Sequence, residues 1–345
     1  MDKRYLLAFV IGMASLVSGI VLVKLTLQGK TSPLPPVVKT GSLSGPFTHK
    51  NLTVFLVHGG DTMTGRTPLT LEEAMKRKLV IVHETGDVGE LAIENISRHE
   101  EVYVQAGDIV KGGKQDRVLA VDLIVPARSG KLPIDSFCVE QGRWTSRGEE
   151  PAESFGASSD SVVSKELKLA AKHSKSQTEV WNGVAVAQER LSSAANTSVR
   201  SNESRSSLQL SLENQKVRQN AEEFIDALIR ITEGQDDVVG FVFAVNGEIN
   251  SADTYGSSDL FKKLWPKLLK ASAIEAISSS YNKKADRSVT ADEIQSFMSG
   301  AERAPVDSTR SFTDRIRIVT RESRQSVFFE TLDQDFWIHR SYIAK

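Results

Sequence analysis

An uncharged apolar run near the start of the chain constrains its organisation more than any other feature. Residues 5 to 23, YLLAFVIGMASLVSGIVLV, contain no charged side chain. As a helix this run would be roughly 28 Å long at about 1.5 Å per residue, close to the hydrocarbon thickness of a bilayer. Lys3 and Arg4 precede the run, which favours a cytoplasmic N-terminus. We therefore predict a single-pass signal anchor with an extracytoplasmic body.

The segment after this run is predicted to be a linker. Residues 28–45 contain prolines and small polar residues, with little periodic hydrophobicity. This divides the chain into an arm and signal anchor over residues 1–27, the linker, and a folded body over residues 46–345. A cleaved signal peptide is the alternative to an anchor, since both begin with basic residues ahead of an apolar core. Both alternatives export the body, and an anchor makes the lipid bilayer a partner through residues 5–23.

Composition and charge match an ordinary globular body. The formal net charge is -1 and charged residues make up 25% of the chain, which excludes the basic balance of a nucleic-acid-binding protein. Cys138 is the only cysteine, so the chain alone cannot build an intramolecular disulfide or a thiolate metal centre. The six histidines are scattered without metal-ligand spacing. We expect no metal, no cofactor and no nucleic-acid partner, and the sequence identifies no protein partner.

The hydrophobic pattern of the body predicts an α+β fold. Short β-branched runs separated by Gly, Asp and Asn dominate residues 46–145, which predicts a mostly-β region. Helix periods dominate residues 160–345, where we expect helices packed on a mixed or antiparallel sheet. Thr70 and Glu73 have the spacing of a capping box, which predicts one helix within the β-rich region.

Local patterns predict several individual elements of this fold. Residues 238–245, VVGFVFAV, are almost wholly apolar and β-branched, which predicts a central strand. Asn246-Gly247 then predicts a tight hairpin turn. Residues 142–161 are polar and contain Gly and Pro, so we predict a long loop there. Cys138 lies in an apolar strand pattern and is predicted to be a buried hydrophobe rather than a nucleophile.

The first dense polar cluster is GGKQDR, which begins at Gly112. Gly112 and Gly113 allow positive φ and let backbone N–H groups approach a ligand closely. Lys114 and Arg117 add positive charge suited to a phosphate or carboxylate, and Gln115 adds a polar side chain. We predict an anion-binding site here. A hairpin turn with solvated side chains is the alternative.

The second polar cluster is FCVEQGRW, residues 137–144, at the end of a predicted strand. Glu140 beside Arg143 can act as a general base or hold a ligand hydroxyl, and Trp144 can stack on a planar ring. We predict that Glu140 is catalytic and that Arg143 and Trp144 bind ligand, in one pocket with the first cluster. The alternative is a structural ion pair between Glu140 and Arg143.

These two clusters are followed, in order, by three further segments. They are QTEVW at 177–181, GFVFAVNGEI at 240–249 and LFKKLWPKLL at 260–269. The ordered series resembles a bacterial family, the ARG and Rhodanese-Phosphatase-superfamily-associated protein domain, over residues 45–345. ARG there denotes ADP-ribosylglycohydrolase, so the resemblance implies a link to ADP-ribose or nucleotide-phosphate metabolism and no established reaction.

Two functions agree with these observations. One is a membrane-anchored ligand-binding or interaction module, favoured by the absence of a known catalytic signature. The other is an enzyme acting on a phosphorylated or ADP-ribose-type small molecule, favoured by the basic glycine turn and the family resemblance. An anionic small molecule is therefore an expected partner. Catalysis requires Glu140 to reach a deep pocket, whereas an interaction module offers an exposed apolar patch.

Overall fold

A computed structural model describes residues 41–162, 164–279, 287–334 and 336–345 of the chain. The predicted membrane segment, residues 5–23, lies outside these ranges. Among the helices of the described ranges, none is both long enough and apolar enough to cross a bilayer.

The strands of the described residues form one large, one medium and one small sheet, and helices cover the large sheet, as expected for an α+β fold. In chain order the strands are β1 (Leu43–His49), β2 (Leu52–His58), β3 (Leu69–Thr70), β4 (Val80–Glu84), β5 (Glu90–Asn95), β6 (Val102–Val104), β7 (Asp108–Gly112), β8 (Arg117–Leu119), β9 (Leu123–Val125), β10 (Lys131–Cys138), β11 (Phe155–Ser161), β12 (Val238–Val245), β13 (Glu248–Tyr255), β14 (Val306–Ser311), β15 (Ile316–Glu322), β16 (Ser326–Asp333) and β17 (Phe336–Ala344).

The helices begin at side-chain caps that the sequence contains. In the first of them, the Thr70 hydroxyl accepts from the Glu73 N–H and the Glu73 carboxylate accepts from the Thr70 N–H, so the predicted capping box is confirmed. A π-helix, Ala170–Ser174, directly continues the second helix. The helices are α1 (Leu71–Lys76), α2 (Lys165–Leu169), α3 (Gln177–Ala195), α4 (Leu208–Leu212), α5 (Gln215–Leu228), α6 (Ser258–Ser278) and α7 (Ala291–Arg303).

The large sheet is antiparallel, with the order β1-β2-β12-β13-β17-β16-β15-β14. Its strand β12 is buried on both faces. On one face the Phe241 ring lies 5.6 Å from the Trp265 ring of α6, and on the other Val242 packs in a cluster with Ile294 and Met298 of α7. Coverage of both faces explains why this strand is apolar without alternation, and the predicted central strand is confirmed.

Of two other predicted elements, one is confirmed and one is partly wrong. Asn246 and Gly247 have φ values of 52° and 77°, so the predicted hairpin turn between β12 and β13 is confirmed. The predicted loop over residues 142–161 is wrong at its C-terminal end, because β11 lies there and pairs with β7. The sequence of β11, FGASSDS, has few residues of high β-propensity, so pairing with a neighbour makes it a strand.

The medium sheet brings the two polar clusters of the sequence together. Its order is β11-β7-β8-β10-β5-β4, and a bridge between His83 and Ser154 joins its two edges. The GGKQDR segment connects β7 to β8, and the second cluster lies at the end of β10. Because β8 pairs with β10, Arg117 lies opposite Cys138. The buried position of Cys138 is as predicted.

A buried charge cluster lies where the large sheet meets the small sheet, β3-β6-β9. His339 of β17 lies between Asp253 of β13 and Asp122, which directly precedes β9. The His339 Nε2 is 3.2 Å from Asp253 Oδ1. The His339 Nδ1 is 3.0 Å from Asp122 Oδ1, but this second contact is an ion-pair distance without hydrogen-bond geometry. Lys172 Nζ lies 3.2 Å from Asp122 Oδ2. When His339 is protonated, two cations balance two carboxylates across the junction.

The pairing shifts the pKa values of Asp122, Asp253 and His339 in the direction that stabilises the charged form of each. Burial raises the pKa of Asp253, but the hydrogen bond from His339 and nearby cations outweigh it and bring the pKa to about 2. Burial lowers the pKa of His339, but the charges of Asp122 and Asp253 outweigh it and raise the pKa above its ordinary value. The two carboxylates stabilise the fold fully above about pH 4, and this contribution is lost as the pH falls through their lowered pKa values. His339 stabilises the fold fully below about pH 6.5, and its contribution is lost as the pH rises through its raised pKa.

We predict that His339→Gln destabilises the fold by about 3–5 kcal/mol at pH 6, because Asp122 and Asp253 lose the cation between them. Urea unfolding measures this difference. His99 is exposed, and the control His99→Gln should stay within about 0.5 kcal/mol of the parent. Equal losses for both variants would contradict a stabilising role for the cluster.

Candidate functional site

The residues predicted from the two polar clusters lie side by side at the β7–β8 turn and the end of β10. The antiparallel pairing of β8 with β10 produces this proximity. They are Gly112, Gly113, Lys114, Gln115, Arg117, Glu140, Arg143 and Trp144.

Arg143 joins the two clusters. Its Nε and Nη2 each donate to the Glu140 carboxylate at 2.7 Å. Its Nη1 donates to the Gly113 carbonyl at 3.0 Å, and its Nη2 to the Gly112 carbonyl at 3.2 Å. Gly113 has a φ of 54°, and a Cβ there would collide with the Phe155 ring. The paired glycines therefore provide the turn and the carbonyls that bind Arg143.

A second ion pair, between Asp116 and Arg147, lies against the first. Both Arg147 Nη atoms donate to Asp116 at 3.0 Å, and Asp116 also accepts from the Gly112 N–H at 2.9 Å and the Ser207 hydroxyl at 2.7 Å. Asp116 in turn donates its backbone N–H to Glu140 at 3.0 Å. Sequence reasoning missed both partners of this pair, because Arg147 is far from Asp116 along the chain.

These contacts saturate the Glu140 carboxylate. Burial raises its pKa, but the hydrogen bonds from Arg143 and other donors outweigh burial and lower the pKa below its ordinary value. A carboxylate with a lowered pKa and both oxygens occupied is poorly suited to accept a proton. The geometry thus favours the structural alternative for Glu140 and Arg143, and the catalytic role of Glu140 stays a prediction.

The remaining residues of the two clusters surround Trp144. Its ring is 43% exposed and lies 5.2 Å from Lys114 Nζ and 5.6 Å from Arg117 Cζ. Arg117 is fully buried and donates to the Val88 carbonyl at 2.7 Å and to Cys138 Sγ at 2.6 Å. Only the Lys114 ammonium is left without a carboxylate partner among these predicted cations in the described residues. Gln115 is buried.

A cavity of about 380 Å³ lies elsewhere, between α2, α3 and α6. Its volume falls within the range of small-molecule sites. Gly183 of α3 lets the helices approach closely, since a Cβ there would lie 2.9 Å from Leu167 Cδ2 of α2. The cavity is lined by Ser164, Glu166, Ala170, Glu179, Asn182, Gly183, Val186, Ala187, Arg190, Glu275 and Ser278.

Glu275 is the buried acidic group of this cavity. It is 4% exposed, and its Oε1 accepts from Asn250 Nδ2 at 3.2 Å. Its Oε2 is buried and has no hydrogen-bond partner in the described part of the chain. Burial, with a smaller contribution from Glu166, raises the pKa of Glu275 to about 7. A carboxyl with such a pKa exchanges its proton near neutral pH.

Comparison with known proteins identifies the family. Residues 40–343 match ARPP-1, the ARG and Rhodanese-Phosphatase-superfamily-associated Protein domain. The chain belongs to this family. Neither the curated proteins nor the solved structures contain a match to the chain.

In this ARPP-1 domain, sequence reasoning missed Glu275 although a signal was present. Leu268, Ser272 and Glu275 follow one another at helical spacing on the buried side of α6. A glutamate on an apolar stripe is rarely buried without a reason. The sequence alone does not show which groups of α2 and α3 lie opposite it.

We predict that Arg143→Lys destabilises the ARPP-1 domain by about 1.5–3 kcal/mol, because lysine keeps the charge but cannot bind Glu140 and the glycine carbonyls together. Chemical unfolding at neutral pH measures the loss. The exposed Arg324 provides the control Arg324→Lys, which should be nearly neutral. An unchanged stability for Arg143→Lys would show that the bridge is dispensable.

Proposed function

We propose that this ARPP-1 domain protein binds a small molecule, and that the ligand occupies the cavity between α2, α3 and α6. The observation that supports this is the carboxyl of Glu275, a residue that lines the cavity: its Oε2 is buried and has no partner within the described residues. Burying a polar atom without a hydrogen bond destabilises a fold. A ligand that supplies the missing donor removes that cost.

The walls of the cavity suit a partly apolar ligand. Ala170, Val186 and Ala187 present apolar surface, while polar side chains lie at its edge. Glu166 and Arg190 at that edge are half exposed, with side-chain exposures of 49% and 44%. Apolar walls with a few placed polar groups are typical of ligand sites.

A second candidate function is binding of an anion, such as a phosphate of an ADP-ribose-type molecule, at another place. A cavity of about 110 Å³ is lined by Lys172 and His173 of the π-helix, by Lys175 and by Arg310 of β14. Lys175 forms no ion pair within the described residues, and burial, then the charge of Arg310, lowers its pKa. π-helices are frequent at functional sites. An enzyme of the kind the family resemblance implies would need such an anion site.

We predict that fragments which raise the melting temperature of the full chain lose this effect in Ala187→Leu, because the larger side chain fills the cavity. A fragment at a hundredfold excess over its Kd stabilises by about 2.7 kcal/mol, so a thermal-shift screen detects it. The control is Thr178→Leu, at an exposed position of α3 outside the cavity. Stabilisation that persists in Ala187→Leu would place the ligand elsewhere.

For the second candidate, we predict that Lys175→Ala weakens binding of inorganic phosphate or ADP-ribose about ten-fold, the loss of one charge-assisted contact. Isothermal titration measures the affinity. Lys216 is an exposed lysine of α5, and Lys216→Ala should leave the affinity unchanged. Equal affinities for parent and Lys175→Ala would exclude this anion site.

A further inference from the structure

The charges around the Glu275 cavity are unbalanced. Among the described residues, three glutamates line it, Glu166, Glu179 and Glu275, against one cation, Arg190. Arg190 lies 3.7 Å from Glu166, so its charge is directed to the edge of the cavity. The described part of the lining therefore has a net negative charge in either protonation state of Glu275.

Among the described residues, the charged groups that act most strongly on Glu275 are either acidic or engaged elsewhere. Glu166 of α2 raises the pKa of Glu275, whereas Lys168 of α2 and Arg190 of α3 lower it only weakly against burial. Lys168 Nζ donates to Ser251 Oγ at 3.4 Å and lies over an aromatic ring. From β13, Asn250 offers one neutral donor to the other carboxylate oxygen. Within the described residues no cation pairs with Glu275.

We propose that the ligand of this cavity is a small organic cation, an ammonium group on an apolar body. This inference rests on the proposed function and names the chemical class of its ligand. The ammonium would donate to the unpartnered Oε2 of Glu275, and the apolar body would lie against Ala170, Val186 and Ala187. Glu166 and Glu179 repel an anionic ligand, and a neutral alcohol supplies a donor without the compensating charge.

Binding of a cation should also release the proton of the Glu275 carboxyl to the buffer. Near pH 7 the Glu275 carboxyl is partly protonated, because its pKa is about 7. An ammonium ligand stabilises the carboxylate, so the carboxylic acid and the cation combine to give a carboxylate–ammonium pair and one proton released to the buffer. At about pH 9 the carboxyl is already ionised and no proton leaves.

The experiment titrates three probes of similar shape into the full chain: 2-phenylethylamine, 2-phenylethanol and 3-phenylpropanoate. We expect the amine to bind about ten-fold or more tightly than the others, and Glu275→Gln to remove that advantage without weakening the alcohol. Isothermal titration at pH 7 in two buffers of different ionisation enthalpy should show proton release with the amine, absent in Glu275→Gln. Proton release by the parent chain tests the proposal even if Glu275→Gln does not fold.

Controls separate this inference from the proposed function. Glu222→Gln makes the same chemical change at an exposed position of α5 and should leave all three affinities unchanged. If the alcohol or the carboxylate binds as well as the amine, and Ala187→Leu blocks them, the cavity is a ligand site but not a cation site. If none of the three probes binds the parent chain at millimolar concentration, both proposals are overturned.

Discussion

The need to pair buried charges determines how the sheets of this protein meet. An ion removed from water is tolerated only when a partner and further hydrogen bonds compensate its lost hydration. His339, between Asp122 and Asp253, therefore holds the large sheet against the small one. Arg143 similarly holds the glycine turn of the medium sheet to Glu140 at the end of β10. A shift of the large sheet against the small one would leave these buried charges unpaired, so the His339 contacts favour the observed arrangement.

The same requirement separates structural charges from candidate functional ones. The predicted anion site consists largely of side chains that neutralise each other, so a ligand would compete with Glu140 for Arg143. Glu275 differs, because it is also buried but lines a cavity, and one of its oxygens has no partner within the described residues. This arrangement places the carboxyl with the raised pKa between helices, away from the two polar clusters.

Sequence patterns correctly predicted the elements that depend only on residues adjacent in the chain. The capping box at Thr70, the apolar strand β12 and the Asn246-Gly247 turn each depend on a few adjacent residues, and all are confirmed. The strand β11 was missed because its polar sequence becomes a strand only through pairing with β7. The polar clusters were expected to lie together, and they do, but their saturation by Arg147 and Asp116 was not visible. Contacts between distant residues have no local signature.

The sequence by itself determined the fold class and the family, because hydrophobic period and ordered motifs are properties of the chain. The tertiary structure decided which charges are satisfied. Glu140 and Glu275 are both buried glutamates, yet within the described residues one accepts from two arginines and the other from a single side-chain amide. That difference arises only when separate segments pack together, since the free energy of a buried charge is set by the groups that folding brings around it.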